Sequence, residues 1–312
     1  MNATGKVGLV GTGFVGASFA YSLMQQGTAN ELVLIDVDNA RAEGEAMDLN
    51  HGLPFVGPMK IYAGDYSALA GAEVTVITAG LNQKPGETRL ELLSKNAAIM
   101  RSIIPEVVKY NPDGLILIAS NPVDIMTYIA CETAGLRPGQ VIGSGTILDT
   151  ARFRYLLSEY YQVDPRSVHA YIIGEHGDSE LAVWSLANIA GVRLRDFVGS
   201  NGRGYDQAAM DDILFQTRNA AYEIIRRKKA TYYAIGLGLH TLVESILKDR
   251  HSVLTVSTPL HGQFGVEGMA ISLPSIVSRS GMEEVLNIQL AKDEIEAFQR
   301  SAQTLKENYA KL

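Results

Sequence analysis

Up to about residue 145 the chain alternates short apolar runs with longer stretches in which apolar residues recur at helical spacing. The clearest runs are Val7–Val10, Leu32–Asp36, Val74–Ala79, Leu115–Ala119 and Val141–Ser144; Met59–Tyr62 is interrupted by Lys60 and reads as an edge strand. Strands that are apolar on both faces and separated by helices belong to a parallel sheet covered on both sides. Right-handed crossovers then give a doubly wound α/β sheet, with ligands along the carboxyl ends of its strands. Thr78-Ala79-Gly80 and Ser120-Asn121-Pro122 lie at or just past such ends. Beyond about residue 145 the pattern changes. A helix over Leu148–Tyr160 leads into a strand over Val168–Ile173, and long helical stretches fill Tyr205–Leu247. Val253–Thr258 and Met269–Leu273 follow without an intervening helix, which predicts antiparallel pairing. Ile295, Phe298, Ala302, Leu305 and Tyr309 mark a last helix that packs on its own domain. The expected organisation is a doubly wound parallel sheet over 1–145, then a mixed α+β domain over 146–312.

The opening unit is more specific. Val7-Gly8-Leu9-Val10 runs into Gly11-Thr12-Gly13-Phe14-Val15-Gly16, a G-x-G-x-x-G turn. A helix over Phe14–Gln26 follows, with Phe14, Ala17, Tyr21 and Met24 spaced along one packing face, and a second strand ends at Asp36, 20 residues after Gly16. Gly11 permits the tight turn, Gly13 lets the backbone approach a pyrophosphate, and Gly16 lets the helix lie close on the strand. The phosphates then meet the positive end of the helix. A carboxylate at Asp36 accepts hydrogen bonds from the adenosine ribose and repels a 2′-phosphate, which selects NAD over NADP. A bare glycine turn arises by chance; strand, turn, helix, strand and acid in this order describe a Rossmann dinucleotide unit.

Composition narrows the field. With 46% apolar and 20% charged residues the chain is globular rather than disordered, and 312 residues suffice for one large or two ordinary domains. A net charge of −7 argues against a general nucleic-acid or anionic-membrane surface, so an anionic substrate needs local arginines set against the overall field. The single cysteine, Cys131, allows no internal disulfide; it reads as a core filler in a reducing compartment, which places the protein in the cytoplasm. No apolar run approaches a membrane span. Lys6, the apolar stretch after it and Ala17-Ser18-Phe19-Ala20 imitate a secretion signal, but cleavage there would destroy the nucleotide turn, so that reading is rejected.

Three further segments carry chemistry. Tyr171-Ile172-Ile173-Gly174-Glu175-His176-Gly177-Asp178 sets a histidine directly after an apolar run, between glycines. Asp149-Thr150-Ala151-Arg152 lies near a helix start, and Asn82-Gln83-Lys84-Pro85-Gly86-Glu87-Thr88-Arg89 is a polar loop with a Pro-Gly turn. Here the chain resembles the bacterial-type NAD-dependent L-lactate dehydrogenases of the lactate/malate dehydrogenase family. The match covers nearly the whole chain, through the glycine turn, N-Q-K-P-G-E-T-R, S-N-P-V-D, G-S-G-T-I-L-D-T-A-R-F-R, I-I-G-E-H-G-D and K-K-A-T-Y-Y.

The resemblance implies reversible hydride transfer between NADH and pyruvate, giving L-lactate. His176 donates the proton to the carbonyl oxygen, or accepts it in lactate oxidation, and Asp149 holds the other ring nitrogen and favours the imidazolium. Arg152 binds the substrate carboxylate as a two-pronged fork, which lysine could not reproduce. Arg89 arrives when the 81–90 loop closes, polarising the carbonyl and expelling water, and Asn121 assists at the carbonyl oxygen or nearby. Taken singly, Arg152 and Arg89 read as surface ion pairs and Asp149 as a helix cap; together in family register they read as a site. The implied cofactor positions are Gly11, Gly13, Val15, Gly16, Asp36, Arg41, Tyr66, Gly80, Ser102, Asn121 and Ser144, of which Arg41 and Tyr66 read equally as exposed loop residues. No metal is expected.

Gln83 bears on the substrate. Malate enzymes of the family carry arginine there, which pairs the second carboxylate of oxaloacetate; a neutral amide would bury that charge unpaired. Thr231 matches the opposite wall and leaves room for a methyl group, while Lys84 reads as solvent-facing. Arg154 and His169 match positions that bind fructose 1,6-bisphosphate across a subunit interface in bacterial relatives. Non-allosteric relatives share this pair, so it shows compatibility with such an effector. The first strand begins at about residue 6, without the N-terminal arm of vertebrate lactate dehydrogenases, so a homo-oligomer, expected to be a tetramer, rests on other contacts. Competing readings are a malate dehydrogenase and a catalytically silent NAD-binding protein; loss of His176, Asp149, Arg152 or Arg89 would mark the latter, and all are present. A serine hydrolase lacks its G-x-S-x-G elbow, and an NAD-dependent glycosidase would need a metal-ligand partner for Cys131.

Overall fold

Short apolar strands need neighbours on both sides, and here they find them in one sheet. The structure is a computed structural model and describes residues 5–82, 86 and 88–312. β1 (Lys6–Val10), β2 (Glu31–Ile35), β3 (Lys60–Ala63), β4 (Val74–Ile77), β5 (Leu115–Ile118) and β6 (Val141–Gly143) are parallel, in the spatial order β3-β2-β1-β4-β5-β6. β3 is the edge, as its interrupting lysine predicts. Alternate residues serve opposite faces: Val33 of β2 joins a core with Ile77, Met100 and Ile104, while its neighbours Leu32 and Leu34 join another with Leu9, Phe19 and Leu23. Each such side chain, fully buried, contributes about 1.5–3 kcal/mol.

The helices α1 (Phe14–Gln26), α2 (Asn39–Gly52), α3 (Arg89–Tyr110) and α4 (Val123–Ala134) cover the two faces. α1 has the predicted span but only part of the predicted face. It buries Gly16, Phe19, Ala20, Leu23 and the expected Met24, whereas Phe14 and Tyr21 are 61% and 56% exposed. Gly16 sets this roll: a Cβ there would stand 2.1 Å from the Gly11 carbonyl oxygen, so the glycine row must face the strand.

The second half starts with α5 (Ile147–Tyr161). The strand expected over Val168–Ile173 is two: β7 (Val168–His169) and β8 (Ile172–Ile173). β8 pairs with β9 (Leu181–Ala182), and β7 with β10 (Asn188–Ile189), which pairs with β11 (Val192–Arg193). The break arises because α5 captures the backbone of Ile172, whose N–H donates to Thr150 Oγ1 (3.0 Å) and whose carbonyl accepts from Thr146 Oγ1 (2.6 Å). The long helical stretch also divides, into α6 (Gln207–Lys228) and α7 (Tyr233–Leu247), where Lys229 turns left-handed at φ 72°.

β12 (Ser252–His261) and β13 (Glu267–Ser278) pair antiparallel as expected, and β14 (Gly281–Val285) follows. They do not form a separate sheet. β12 joins β6 through Ser257 opposite Gly143, so nine strands run without interruption across residue 145. α8 (Lys292–Tyr309) buries Phe298, Ala302 and Leu305 against its own chain.

Candidate active site

The glycine turn does what its composition requires. Gly11 takes φ +101°, where a Cβ would stand 2.5 Å from Ala79 N, and Gly13, with nothing within 4 Å of its virtual Cβ, leaves open space at the start of α1. No side chain caps that helix end, so its amides are left for an anion. Asp36 is fixed beside it. Its Oδ2 accepts from Thr12 N (2.7 Å) and Thr12 Oγ1 (2.9 Å), and its Oδ1 from Asp38 N (3.0 Å). Burial opposes its charge, but these donors hold the carboxyl below its ordinary value. A crevice of about 530 Å³ opens here, lined by Gly11, Gly13, Asp36, Arg41, Tyr66, Gly80 and Ser102 among others. Val15 and Gly16 lie behind it on α1, and Asn121 and Ser144 follow the ends of β5 and β6. The open glycine, the uncapped helix and the anchored acid together fit a dinucleotide.

Past the strand ends a chain of polar contacts leads to the histidine. Asn96 of α3 ties two loops together: its amide donates to the carbonyls of Leu81 (3.3 Å) and Asn121 (2.9 Å), and its oxygen accepts from Leu81 N (2.8 Å). Three residues past Asn121, buried Asp124 accepts from His176 N (2.7 Å) and from Ser257 Oγ (2.6 Å). Burial lifts this carboxyl to about 6 against those two hydrogen bonds. Gly174, at φ +93°, turns the chain out of β8 and bridges to Ser272 of β13, which sets the His176 loop over α5.

There His176 Nδ1 lies 2.5 Å from Asp149 Oδ2, and Asp149 Oδ1 accepts from Arg152 Nη1 at 2.8 Å. Asp149 stands in the first turn of α5, where the helix dipole favours an anion. Its own burial opposes ionisation, yet His176 and Arg152 hold its carboxyl below the ordinary value. For His176, burial opposes the charged ring, but 26% of the side chain still meets solvent. The Asp149 charge and hydrogen bond, helped by Asp124 and Glu180, push it up to about 9. This arrangement offers a charged proton donor beside a guanidinium, with Nε2 as the ring nitrogen not turned to Asp149.

Other expected residues fall around this group. Arg152 and Thr231 line one open cleft of about 790 Å³. Arg89 is not at the histidine: its side chain is 77% exposed and reaches Asp178 Oδ2 at 3.5 Å, while Tyr222 donates to Asp178 Oδ1 at 2.8 Å. Gln83 and Lys84 lie outside the described residues. Arg154 Nε donates to the Ala170 carbonyl at 2.9 Å, next to exposed His169, and its guanidinium stands 5.2 Å from the Tyr171 ring centroid. Cys131 is half-buried against the core, and burial lifts its thiol to about 12, as befits a filler. Asp124, Asn96 and Glu180 carry no role in the sequence reading; of these only Asp124 had a local signal, as the last residue of S-N-P-V-D. Glu180 is buried beside His176, and burial, with the Asp149 charge next, raises its carboxyl to about 8.

Comparison with known proteins agrees along the whole chain. Residues 5–143 match the model of the lactate/malate dehydrogenase NAD-binding domain, and residues 146–312 that of the family's alpha/beta C-terminal domain. An L-lactate dehydrogenase of Acetivibrio thermocellus is 51% identical over 302 residues, 97% of this chain and 95% of that one. The L-lactate dehydrogenase of Priestia megaterium is 51% identical over 304 residues, again 97% and 95%. Among solved structures, a lactate dehydrogenase from a Medee basin deep-sea metagenome library superposes with a TM-score of 0.96 at 44% identity, covering 99% of this chain and 98% of that one. The minor L-lactate dehydrogenase of Enterococcus mundtii, in ligand-bound form, gives 0.95 at 44% identity, with 98% of each chain covered. No described helix is long and apolar enough to cross a membrane. The chain belongs to the lactate/malate dehydrogenase family, and its first half is that family's NAD-binding domain.

Proposed function

We propose that the protein is an L-lactate dehydrogenase that reduces pyruvate to L-lactate in cytoplasmic fermentation and runs the reverse reaction when lactate and NAD accumulate. One observation carries the reading: a single buried carboxylate, Asp149, holds both the imidazole of His176 and the guanidinium of Arg152. Proton donor and carboxylate anchor are thereby fixed to each other. The glycine turn and Asp36 would hold NADH, which when bound would provide the hydride chemistry. Arg152 grips the substrate carboxylate, and His176 gives its proton to the carbonyl oxygen, so pyruvate plus hydride plus proton balances as lactate. Arg89 leaves Asp178 for the carbonyl when the neighbouring loop closes; an exposed ion pair of that kind holds it by no more than about 1 kcal/mol. Gln83 and Thr231 set the preference for pyruvate over oxaloacetate. NADH oxidation with pyruvate, oxaloacetate and a longer 2-oxo acid tests this, pyruvate being favoured over oxaloacetate by about two decades or more on desolvation grounds. Equal rates with oxaloacetate would move the assignment to a malate dehydrogenase, and no rate with any 2-oxo acid to a silent NAD-binding protein.

Regulation and assembly extend the proposal. Arg154, bound to the carbonyl of Ala170 next to His169 in the chain, and His169 suit one end of fructose 1,6-bisphosphate, and two subunits related by a two-fold axis would hold both phosphates. Assembly as a homotetramer is supported by apolar side chains left at the surface, among them Phe14, Tyr21, Phe55, Tyr233 and Leu237. Addition of the bisphosphate should lower the pyruvate KM and raise the oligomer mass. No change in either ends this part of the proposal.

A further inference from the structure

Glu180 lies four residues past His176 and is 2% exposed. Its backbone is pinned: the carbonyl accepts from Arg218 Nε (3.2 Å) and Nη2 (2.5 Å), and the amide donates to Gly177 (3.2 Å). Its side chain is not. Oε1 is buried without a hydrogen-bond partner among the described residues, although ligand atoms of Glu180, Asp149 and His176 all lie within 4.8 Å of one another. An orphaned buried acid costs stability that a leucine of similar size would not cost. The proton transfer described above does not use it.

We propose that Glu180 is a positioning residue for that transfer: a second acid beside the ring, free to change charge, that sustains the His176 imidazolium as the medium turns alkaline. The inference rests on the reading of His176 as proton donor. Among the described residues, Asp149 from α5, Asp124 from α4 and Glu180 from its own loop act on the ring, while Arg152 from α5 and Arg218 from α6 act on Glu180, and Glu175 on Asp124. Asp149 is committed to His176 and Arg152, and Asp124 to the His176 amide and Ser257. Glu180 has no such commitment. Its raised carboxyl, at about 8, is neutral in the physiological range and sets no further anion against an incoming carboxylate. Once ionised it sets a negative charge beside the ring, and that charge delays loss of the ring's proton.

The test is Glu180→Gln, which keeps size and removes the charge. The Cε1 proton of His176 is titrated by NMR in both proteins, and kcat/KM for pyruvate is followed across the same range. The expected result is a His176 midpoint lower by about one unit, a tenfold change in the imidazolium-to-imidazole ratio, and a native-to-variant kcat/KM ratio that grows with pH. A midpoint that stays or rises overturns the proposal, and so does a ratio constant with pH, which would mark a merely structural residue. Glu180→Asp, which withdraws the charge without abolishing it, must give an intermediate midpoint; it carries the test should the glutamine variant not fold, and an unmoved midpoint there is equally fatal. Failure of the native chain to turn over pyruvate would fall on the functional reading, while the ring titration still decides the role of Glu180.

Discussion

Replacing Asp149 with asparagine keeps the shape of the site and removes its central charge. In the native chain Asp149 Oδ2 lies 2.5 Å from the ring, and His176 holds its proton up to about 9 against an ordinary 6.5. That difference of about 2.5 units corresponds to about 3 kcal/mol in favour of the imidazolium, at 1.36 kcal/mol per unit. Without Asp149, Asp124 and Glu180 alone oppose the burial that disfavours the charged ring, so the midpoint should fall to about 6.5 or below. At about pH 7.5 the proton-donor form then drops from nearly all molecules to about a tenth. Loss of the bond that orients the ring and the Arg152 fork adds about another ten- to hundredfold in kcat/KM. The two parts separate by pH: the protonation deficit should vanish below about pH 6, and the orientation deficit should persist. Steady-state NADH oxidation across pH, with pyruvate varied, reads both. A native-to-variant ratio that does not change with pH would refute the claim that Asp149 sets the charge of the ring.

Four further outcomes follow from the same geometry. Gly13→Ala meets no protein atom and should leave the melting temperature nearly unchanged while raising the NADH Kd about tenfold or more; Gly16→Ala collides with the Gly11 carbonyl and should lower both stability and binding, read by thermal melts and NADH fluorescence. Arg152→Lys should raise the pyruvate KM by about two decades, because a point charge replaces a fork, and a KM within threefold of native would exclude that role. Gln83→Arg should move the oxaloacetate-to-pyruvate preference up by about two decades, and an unchanged ratio removes Gln83 from substrate choice. The ligand-free protein should lose thermal stability on the alkaline side. His176 and Glu180 have folded-state values of about 9 and 8, above the ordinary 6.5 and 4.5, so each contributes stability that is fully present below its ordinary value and lost as pH rises through the folded one. A melting temperature that climbs from about pH 6.5 to 9 would contradict this.

What the sequence reveals is what neighbouring residues decide. The glycine turn, its helix and Asp36 are local, and so is the placing of His176 directly after an apolar run. The packing face of α1 is only partly legible, because a helical stripe of Phe14, Ala17, Tyr21 and Met24, of which Met24 is buried, does not say where the sheet lies; Gly16, which cannot accept a Cβ, does say so. The strand at Val168–Ile173 breaks because Thr146 and Thr150, on the preceding helix α5, capture the backbone of Ile172, a contact that no run of apolar residues encodes. Asp124 and Glu180 escape notice for the same reason. Each is one acid in an otherwise ordinary segment, and only the folded chain brings Asp124 to the backbone amide of a histidine 52 residues away and the side chain of Glu180 to the same histidine's ring. Arg89 shows the converse, since its contact with Asp178, 89 residues away, is not written in the motif.

The antiparallel ladder from β12 onto β6 has a practical consequence. Because Ser257 sits opposite Gly143 and its hydroxyl also reaches Asp124, the second half of the chain supplies both the seam and a ligand to the carboxylate beneath the histidine. The halves are stitched edge to edge rather than strung on a hinge. A fragment ending near residue 145 would present the bare margin of β6, with its main-chain donors and acceptors ready to recruit strands from other molecules. Dissecting the protein into its nucleotide and substrate halves would therefore yield a sticky remnant before it yielded an isolated coenzyme binder.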